Sequence, residues 1–262
     1  MSESGGCETN ALAPAFRVVG VRVDAIQLPE AVTQIKRWIE NRETGKYVAV
    51  TGMHGVAESR QDAHFREILN HAGLVVPDGM PLVWLGRWHG HPLRRRVTGS
   101  ELMLAFCRET GPRPRHFFYG GAPGVAADLA RQLREQFNIT VAGTYTPPFR
   151  PLSEAEERDF VAQVKAAAPD ILWVGLSTPK QERWMFDHRE NLKIPVMLGV
   201  GAAFDMNTGR LKRAPAWMRE SGLEWLYRLL REPRRLWRRY LITIPQSMWS
   251  ISLELFHIRK FE

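Results

Sequence analysis

Short apolar segments alternate with amphipathic ones along most of the chain. Six segments rich in β-branched and aromatic residues are predicted to be strands, at 47–50, 73–77, 116–121, 139–145, 170–176 and 195–201. Between several of them, apolar residues recur at helical spacing. An example is the run Val125, Leu129, Leu133 and Phe137. This alternation predicts an α/β fold with a mainly parallel, Rossmann-like sheet and helices on both faces.

A further helix is marked by signals at both of its ends. Ser153 and Glu156 form the Ser-x-x-Glu pattern of a capping box, and the helix is expected to end before Pro169. In sheets of this kind, ligands bind at the carboxyl ends of the strands. Residues that follow the predicted strands are therefore the candidates for a functional site.

The pattern changes from about Leu211 onward. Residues 214–233 have the pattern of one amphipathic helix, with Pro215 near its first turn and Pro233 at its end. Two more helical segments follow, at 234–245 and 246–261. We therefore expect three parts in the chain: a disordered N-terminus at 1–14, an α/β core at 15–210 and a basic, amphipathic helical appendage at 211–262.

Most of the net charge lies in this appendage. The formal net charge is +8, and residues 210–240 hold ten Lys or Arg and three Glu, or +7, so the rest of the chain carries only +1. A basic segment on a nearly neutral body indicates an anionic partner. Aromatic residues interleaved with the arginines favour an anionic membrane surface. Nucleic acid is the alternative partner for the same charge.

The sequence also indicates a cellular location. No apolar run reaches the ~18 residues of a membrane-spanning helix. The start of the chain, MSESGGCETN, lacks the basic and apolar parts of a secretory signal. Cys7 and Cys107 do not provide a disulfide framework. We therefore expect a cytoplasmic protein.

Asp78 stands in the otherwise apolar stretch VVPDGMPLVW, next to a glycine. An ionised carboxylate is costly to bury unless it is paired or hydrogen-bonded. One interpretation is a general base at a strand end, which would deprotonate a hydroxyl nucleophile. The other is an Asp-Gly turn before the next helix, which is the commoner case. The residue pattern alone leaves both interpretations open.

Other strand ends carry residues suited to phosphates or sugars. Gly120, Gly121 and Gly124 lie between a strand and a helix, where backbone N–H groups can approach a phosphate, although a tight turn without a ligand explains them equally well. Polar donors or acidic residues follow three further strands: Thr51 and His54; Thr178, Lys180 and Gln181; and Asp205 after Gly201. A solvated loop is the alternative for each.

Several chemistries have no signature in the sequence. There is no HExxH, no CxxC and no His/Asp cluster that would suggest a metal site. There is no Asp-x-Asp triplet to hold a divalent cation against a nucleotide diphosphate, and no GxSxG. We therefore predict that an enzyme with this sequence works without a bound metal or other cofactor.

Taken together, these segments resemble the WecG/TagA/CpsF family of glycosyltransferases (family 26). The resemblance runs from about Val18 to about Ile244. Its most specific parts are PDGMPLVW, RVTGSEL, GGAPGVA, DILWVGLSTPKQERW, GVGAAFD and the long basic segment that begins GRLKRAPAWMRES. The resemblance implies an inverting, metal-independent enzyme of cell-surface polysaccharide synthesis. Such an enzyme would move an N-acetylmannosamine-type sugar, or another hexose, from a UDP-sugar to a polyprenyl-diphosphate-linked saccharide at the inner face of the cell membrane.

The resemblance also assigns roles to individual residues. The family's catalytic base falls on Asp78, its active-site threonine on Thr51 and its glutamine on Gln181. Other positions are expected to bind substrate: His54, Thr98, Gly120, Gly121, Gly124, Thr178, Lys180, Gly201, Asp205, Arg213, Arg228 and Arg231. Relatives often carry Thr-x-Asn where this chain has Thr51-Gly52-Met53, so His54 is the candidate replacement for that asparagine.

The implied partners are the UDP-sugar, the lipid-linked acceptor and an anionic membrane surface, without nucleic acid, and a second copy of the chain is a further candidate. The family's C-terminal appendage, matched from about residue 211, supplies arginines to the active site and contacts the membrane. A nucleotide-sugar-binding regulatory protein without transferase activity is the alternative, because it would keep the glycine turns but would not need Asp78.

Overall fold

The computed structural model describes residues 13–238. Its strands are β1 (Ala15–Val18), β2 (Val21–Asp24), β3 (Lys46–Thr51), β4 (Leu74–Pro77), β5 (Arg115–Gly120), β6 (Thr140–Tyr145), β7 (Ile171–Gly175) and β8 (Val196–Gly199). Its helices are α1 (Leu28–Glu40), α2 (Met53–Gln61), α3 (Ala63–Asn70), α4 (Met80–Trp88), α5 (Gly99–Thr110), α6 (Val125–Phe137), α7 (Glu154–Ala167), α8 (Lys180–Leu192), α9 (Ala203–Asn207), α10 (Ala216–Glu220), α11 (Glu224–Arg231) and α12 (Pro233–Arg238).

Within the described residues, six strands form one parallel sheet in the order β4-β3-β8-β7-β5-β6. These are the six strands that the sequence predicts, so the predicted α/β fold class is confirmed. Helices connect the strands, as parallel pairing requires. Because all six strands point the same way, their carboxyl ends meet at one edge of the sheet.

The apolar residues of the sheet pack into a core on each of its faces. One face packs against Phe65, Phe160 and Met185, and the other against Ile35 and Phe106. Strands buried on both faces are expected to be nearly continuous in hydrophobic residues, as the predicted strands are. The sheet is therefore a rigid scaffold for the loops at its carboxyl edge.

A small antiparallel hairpin, β1–β2, lies beside the main sheet. The strand–helix alternation does not predict it, because its two antiparallel strands are joined by a short turn and not by a helix. The buried carboxylate of Asp24 fixes its position, accepting a hydrogen bond from the backbone N–H of Val75 at 2.8 Å and pairing with Arg22. Burial raises the pKa of Asp24 to about 6, and these partners oppose the rise.

The predicted capping box at the start of α7 is confirmed. The hydroxyl of Ser153 accepts from the backbone N–H of Glu156 at 3.3 Å, and the Glu156 carboxylate accepts from the backbone N–H of Ser153 at 2.8 Å. The helix ends at Ala167, before Pro169 as predicted.

The prediction of one helix over 214–233 is wrong. The segment forms α10 and α11, and Gly222 breaks it with a φ of +77°. A Cβ at Gly222 would lie 3.2 Å from Met80 and Trp84 of α4, so the break lets the appendage pack closely on the core. Residues 233–238 form α12, in agreement with a second short helix. Of the disordered N-terminus predicted at 1–14, residues 1–12 lie outside the described residues, as do 239–245 of the second predicted helix and the whole third predicted helix at 246–261.

Candidate active site

The candidate site lies at the carboxyl edge of the sheet. Asp78 directly follows β4, and its backbone N–H donates to the carbonyl of Thr51, the last residue of β3, at 2.9 Å. Gly52 permits this approach, because a Cβ there would lie 2.5 Å from the carbonyl oxygen of Asp78. The N-cap position of α4 is Gly79, and no side chain caps this helix. Asp78 therefore lies at a strand end and is not the cap of the following helix.

The surroundings of Asp78 make its carboxyl group more basic than an ordinary aspartate. The side chain is partly buried, and this burial raises its pKa to about 6. The positive charges of Arg96 and Arg228 lower the pKa, while the negative charges of Glu224 and Glu101 raise it. A carboxylate with a pKa near 6 is mostly ionised at pH 7 and accepts a proton more readily than an exposed one, as a general base requires.

Two ion pairs join the core to the appendage near Asp78. Arg96, which precedes α5, forms a short hydrogen-bonded ion pair with Glu224 at the start of α11, and both side chains are largely buried. Glu101 in α5 lies 3.5 Å from Arg219 of α10. Since Arg96 and Glu224 both act on the pKa of Asp78, the appendage is close enough to influence the candidate base.

A cavity of about 310 Å³ lies between α9 and α11. Its charged lining consists of Arg210, Lys212, Arg228, Arg231, Glu224 and Glu232. The volume is at the lower end of the range for ligand pockets. With four cations against two carboxylates, the lining suits an anionic group such as a diphosphate. Two of the lining residues, Glu224 and Arg228, also act on the pKa of Asp78, so the cavity and Asp78 share charged neighbours, although Asp78 does not itself line the cavity.

A second polar cluster ties α8 to the turn after β8. Glu182 is fully buried, and its Oε1 accepts hydrogen bonds from Thr178 Oγ1 and Gln181 Nε2, both at 2.9 Å. The Oε1 of Gln181 accepts from the backbone N–H of Gly201, also at 2.9 Å. Three of the predicted site residues are thus brought together. The predicted active-site role of Gln181 stays a prediction, because both ends of its amide already bind the protein.

Glu182 is an unusual residue for this position. Its Oε2 has no hydrogen-bond partner within residues 13–238. Burial raises the pKa of its carboxyl group, and the bonds from Gln181 and Thr178 oppose the rise. Because an unpartnered carboxylate oxygen in the interior is costly, burial works against the ionised form of Glu182.

Thr51 lies between Asp78 and this cluster. Its side chain is 1% exposed, and its Oγ1 has no hydrogen-bond partner in the described part of the chain. A Cβ at Gly55 would lie 2.7 Å from the Thr51 methyl group and 3.6 Å from that of Thr178. A buried hydroxyl without a protein partner calls for an explanation, and the active-site role predicted for Thr51 stays a prediction. His54 follows in the first turn of α2, with its Nδ1 3.8 Å from Glu58.

The three glycines after β5 have different roles. A Cβ at Gly120 would lie 2.6 Å from the carbonyl oxygen of Gly175, and the N–H of Gly121 donates to that same oxygen at 3.1 Å. Close packing of β5 on β7 therefore explains these two. Gly124, at the N-cap of α6 with a φ of +83°, faces open space. Of the three, Gly124 best fits the prediction of a phosphate-binding helix N-terminus.

Three predicted binding residues lie at helix starts or turns. Thr98 is the N-cap of α5, and its hydroxyl accepts from the N–H of Glu101 at 3.2 Å. Lys180 is exposed at the first residue of α8. Asp205 lies in α9, and its backbone carbonyl accepts from the N–H of Leu211 at 2.9 Å. The structure gives Thr98 a capping role, and the substrate contacts of all three stay predictions.

The appendage arginines differ in their surroundings. Burial lowers the pKa of Arg213, while the nearby charge of Glu101 raises it. Arg231 lines the cavity and lies over the ring of Tyr227, with 5.6 Å to the ring centroid. Arg228 also lines the cavity and, unlike Arg231, acts on Asp78. Arg228 is therefore the predicted appendage arginine for which the structure shows an influence on the candidate base.

Sequence reasoning did not single out four charged residues of the site. Arg96 and Glu224 form an ion pair across 128 positions of sequence, and no local pattern reveals such a pair. Glu101 acts on Asp78 from the next helix in sequence. Glu182 lies within the PKQERW stretch, and its position next to Gln181 was the only signal that could have drawn attention to it.

Residues 13–238 contain neither a cluster of candidate metal ligands nor a helix that could span a membrane. Nowhere in that range do three or more His, Cys, Asp or Glu side chains gather in a way that could hold a metal ion. None of the helices in that range is both long and apolar enough to cross a membrane.

Comparison with known proteins places the chain among the glycosyl transferases. Residues 16–260 match the Glycosyl transferase WecG/TagA/CpsF family, and the chain belongs to this family. The resemblance seen in the sequence motifs is thereby confirmed.

Relatives of known activity match over nearly their whole length. A protein of Bacillus spizizenii named N-acetylglucosaminyldiphosphoundecaprenol N-acetyl-beta-D-mannosaminyltransferase is 28% identical over 227 residues, or 86% of each chain. Proteins of the same name from Staphylococcus aureus strains MW2 and NCTC 8325 are 28% identical over 244 residues, or 93% of this chain and 94% of theirs.

Proposed function

We propose that the protein transfers a sugar from a UDP-sugar to a saccharide linked to polyprenyl diphosphate. The names of the relatives support N-acetylmannosamine as the sugar and an N-acetylglucosaminyl-diphospholipid as the acceptor. The observation that carries the proposal is the position of Asp78, a carboxylate with a pKa of about 6 at a strand end, beside a cavity with a mainly cationic lining.

The reaction is proposed to be a single displacement with inversion. Asp78 takes the proton of the acceptor hydroxyl while that oxygen forms a bond to the anomeric carbon of the donor sugar. The bond between the anomeric carbon and the diphosphate oxygen breaks, and its electron pair leaves with UDP. We infer that the hydroxyl of Thr51, which is buried without a partner in the described residues and adjoins Asp78 through the backbone, binds a substrate oxygen during the reaction.

The leaving diphosphate needs a partner for its growing negative charge. The cavity supplies Arg228 and Arg231 from the appendage and Lys212 from the segment before α10. Guanidinium groups bind phosphate oxygens through paired, charge-assisted hydrogen bonds. In this proposal the appendage completes the site, and the reaction does not require a metal ion. The open N-terminus of α6 at Gly124 is a second candidate for a phosphate contact.

The lipid-borne acceptor implies a location. We propose that the protein works peripherally, at the inner face of the cell membrane, in the synthesis of a cell-surface polysaccharide. The basic residues at 210–240 that do not line the cavity would bind anionic headgroups, at roughly 1 kcal/mol for each residue near the surface. A homo-oligomer remains a prediction.

The test is a transfer assay with a panel of radiolabelled UDP-sugars and a short-chain N-acetylglucosaminyl diphospholipid. Label is expected in the lipid product with UDP-N-acetylmannosamine, including in the presence of a chelator. The Asp78→Asn variant is the matched control and should bind the donor without transferring it. If the wild-type chain binds a UDP-sugar but moves no sugar to any acceptor, the regulatory alternative is correct. If adding a divalent metal is essential for transfer, metal independence is wrong.

A further inference from the structure

Helix α4 presents an unusual surface to solvent. Leu82, Val83 and Gly86 are buried against the core, and Phe16 of β1 packs against the end of the helix. On the opposite side, Trp84 is 50% exposed and Trp88 is 75% exposed. Residues four apart lie on one stripe of a helix, so the two indoles form a single patch.

Two exposed arginines, Arg94 and Arg95, lie in the loop that follows α4. Arg87 of α4 donates to the backbone carbonyls of Leu93 and Arg94, at 2.6 and 2.9 Å, and so holds the following loop against the helix. Gln27 accepts from the backbone N–H groups of Arg94 and Arg95 at 3.2 and 3.3 Å. The backbone of Arg94 and Arg95 is thus held by three of these hydrogen bonds, while both residues are exposed.

The Asp, Glu, Lys and Arg content of α4 and the loop after it is exclusively basic. Residues 79–100 contain four arginines and neither aspartate nor glutamate. We call Trp84, Trp88, Arg94 and Arg95 the α4 surface. Exposed indoles beside guanidinium groups, without acidic residues in the segment, match the interfacial region of a bilayer, where tryptophan lies at headgroup depth and arginine binds lipid phosphate.

The α4 surface is continuous with the site and with the appendage. Helix α4 begins two residues after Asp78. The indole of Trp84 lies against Gly222, in the turn between α10 and α11, at 3.2 Å from the position of a Cβ there. An acceptor diphosphate carried by a membrane lipid stays at headgroup depth. Because α4 lies next to Asp78, this helix must also approach headgroup depth during transfer.

We propose that the α4 surface is a second membrane-contact element, formed by the core itself, and that it binds the interface of an anionic phospholipid bilayer. It acts together with the basic appendage and sets the orientation in which Asp78 meets the lipid-borne acceptor. The inference rests on the proposed function only for the lipid acceptor. The binding itself is measured without either substrate.

The experiment is sedimentation of the full chain with vesicles of phosphatidylcholine, with and without phosphatidylglycerol. The double variant Arg94→Ala/Arg95→Ala is compared with Arg113→Ala/Arg115→Ala, two exposed arginines at the amino edge of the sheet. The Arg94→Ala/Arg95→Ala variant should bind anionic vesicles about 30-fold more weakly than wild type, at roughly 1 kcal/mol for each charge removed. The second pair should leave partition unchanged.

The tryptophan is tested in the same way. Trp88→Ala should weaken partition about tenfold, the ratio expected when roughly 60 Å² of apolar surface leaves water. The matched control is Phe149→Ala, since Phe149 is 97% exposed beyond the opposite edge strand, β6. Circular dichroism shows that each variant is folded. As a second measurement, an environment-sensitive fluorophore on Trp88→Cys, in a Cys7→Ser background, should shift to the blue on anionic vesicles. The same label on Phe149→Cys should not shift.

The outcomes separate this inference from the proposed function. If both α4 variants bind vesicles as tightly as wild type and the label at 88 stays in water, the α4 surface is not a membrane contact, whatever the transfer assay shows. If vesicle binding falls as expected but a water-soluble acceptor is never glycosylated, the membrane contact stands and the transferase proposal fails.

Discussion

Replacing Asp78 by asparagine should make the folded protein more stable and the enzyme almost inactive. Burial raises the pKa of this carboxyl group from its usual value near 4 to about 6. At about 1.4 kcal/mol for each pKa unit, keeping it ionised costs the folded state up to about 3 kcal/mol at pH 8. Asparagine has the same shape without the charge. We expect the free energy of unfolding to rise by about 1–3 kcal/mol and kcat to fall at least ~100-fold.

The pH dependence of this stability gain has a definite sign. The pKa of Asp78 is raised in the folded state. The protonated carboxyl group therefore makes its full contribution to the free energy of unfolding below pH ~4, and this contribution is lost as the pH rises through about 6. The gain from Asp78→Asn should therefore be absent below pH ~4 and complete above about pH 7. Urea unfolding of both proteins at a series of pH values measures it directly, and transfer assays at pH 7.5 measure the loss of turnover.

Asp62 provides a control of opposite sign. Its carboxylate accepts from the N–H of Phe65 at 2.9 Å and pairs with Arg183, and the bond from Phe65 lowers its pKa. Asp62→Asn should decrease stability at pH 8 and leave turnover unchanged. If Asp78→Asn also decreases stability at pH 8, or keeps turnover within tenfold of wild type, Asp78 is a structural residue and the assignment of the base is wrong.

Three further predictions concern the neighbours of Asp78 and the second cluster. The charges of Arg96 and Glu224 act on the pKa of Asp78 in opposite directions. Arg96→Gln should therefore move the acid limb of the kcat/KM–pH profile to higher pH, and Glu224→Gln should move it to lower pH, each by roughly one unit. Shifts of the same sign would contradict this account. Glu182→Gln keeps the acceptor for its two hydrogen-bond donors and should retain most activity, whereas Glu182→Ala should lower kcat by about 10- to 100-fold with an unchanged circular dichroism spectrum. Gly52→Ala places a methyl group 2.5 Å from the Asp78 carbonyl and should lower kcat more than it raises KM, as steady-state kinetics will show.

Most of the sheet could be predicted from the sequence because five of its six strands are largely buried on both faces, whereas the edge strand β6 is only partly buried. Each of the six appears as a compact apolar run bounded by turn residues, and each is a strand in the structure. The appendage was harder to predict. Its helical period continues across Gly222, and the break there depends on contact with Trp84, far away in sequence. Local pattern cannot show a turn that tertiary packing requires.

The candidate site shows the same division. Three site residues, Asp78, Thr51 and Thr178, could be predicted because each lies at the end of an apolar strand or shortly after it. In a parallel sheet, the residues at the carboxyl ends of the strands lie at one edge. The pairing of Arg96 with Glu224 could not be predicted, because it depends on how the appendage folds back on the core. Gly120 was predicted to bind phosphate, but its nearest neighbour is the carbonyl of Gly175, and close strand packing already explains the glycine.

The position of β8 has a consequence for how the chain is made. This strand is the last of the sheet in sequence, yet it lies between β3 and β7 and bonds to both. Until it leaves the ribosome, β3–β4 and β7–β5–β6 are separate half-sheets with open edges, which invite pairing with other chains. Synthesis that stops before Val196 should therefore yield aggregating fragments, and Thr51 and Gln181 can come together only once the final strand has been inserted.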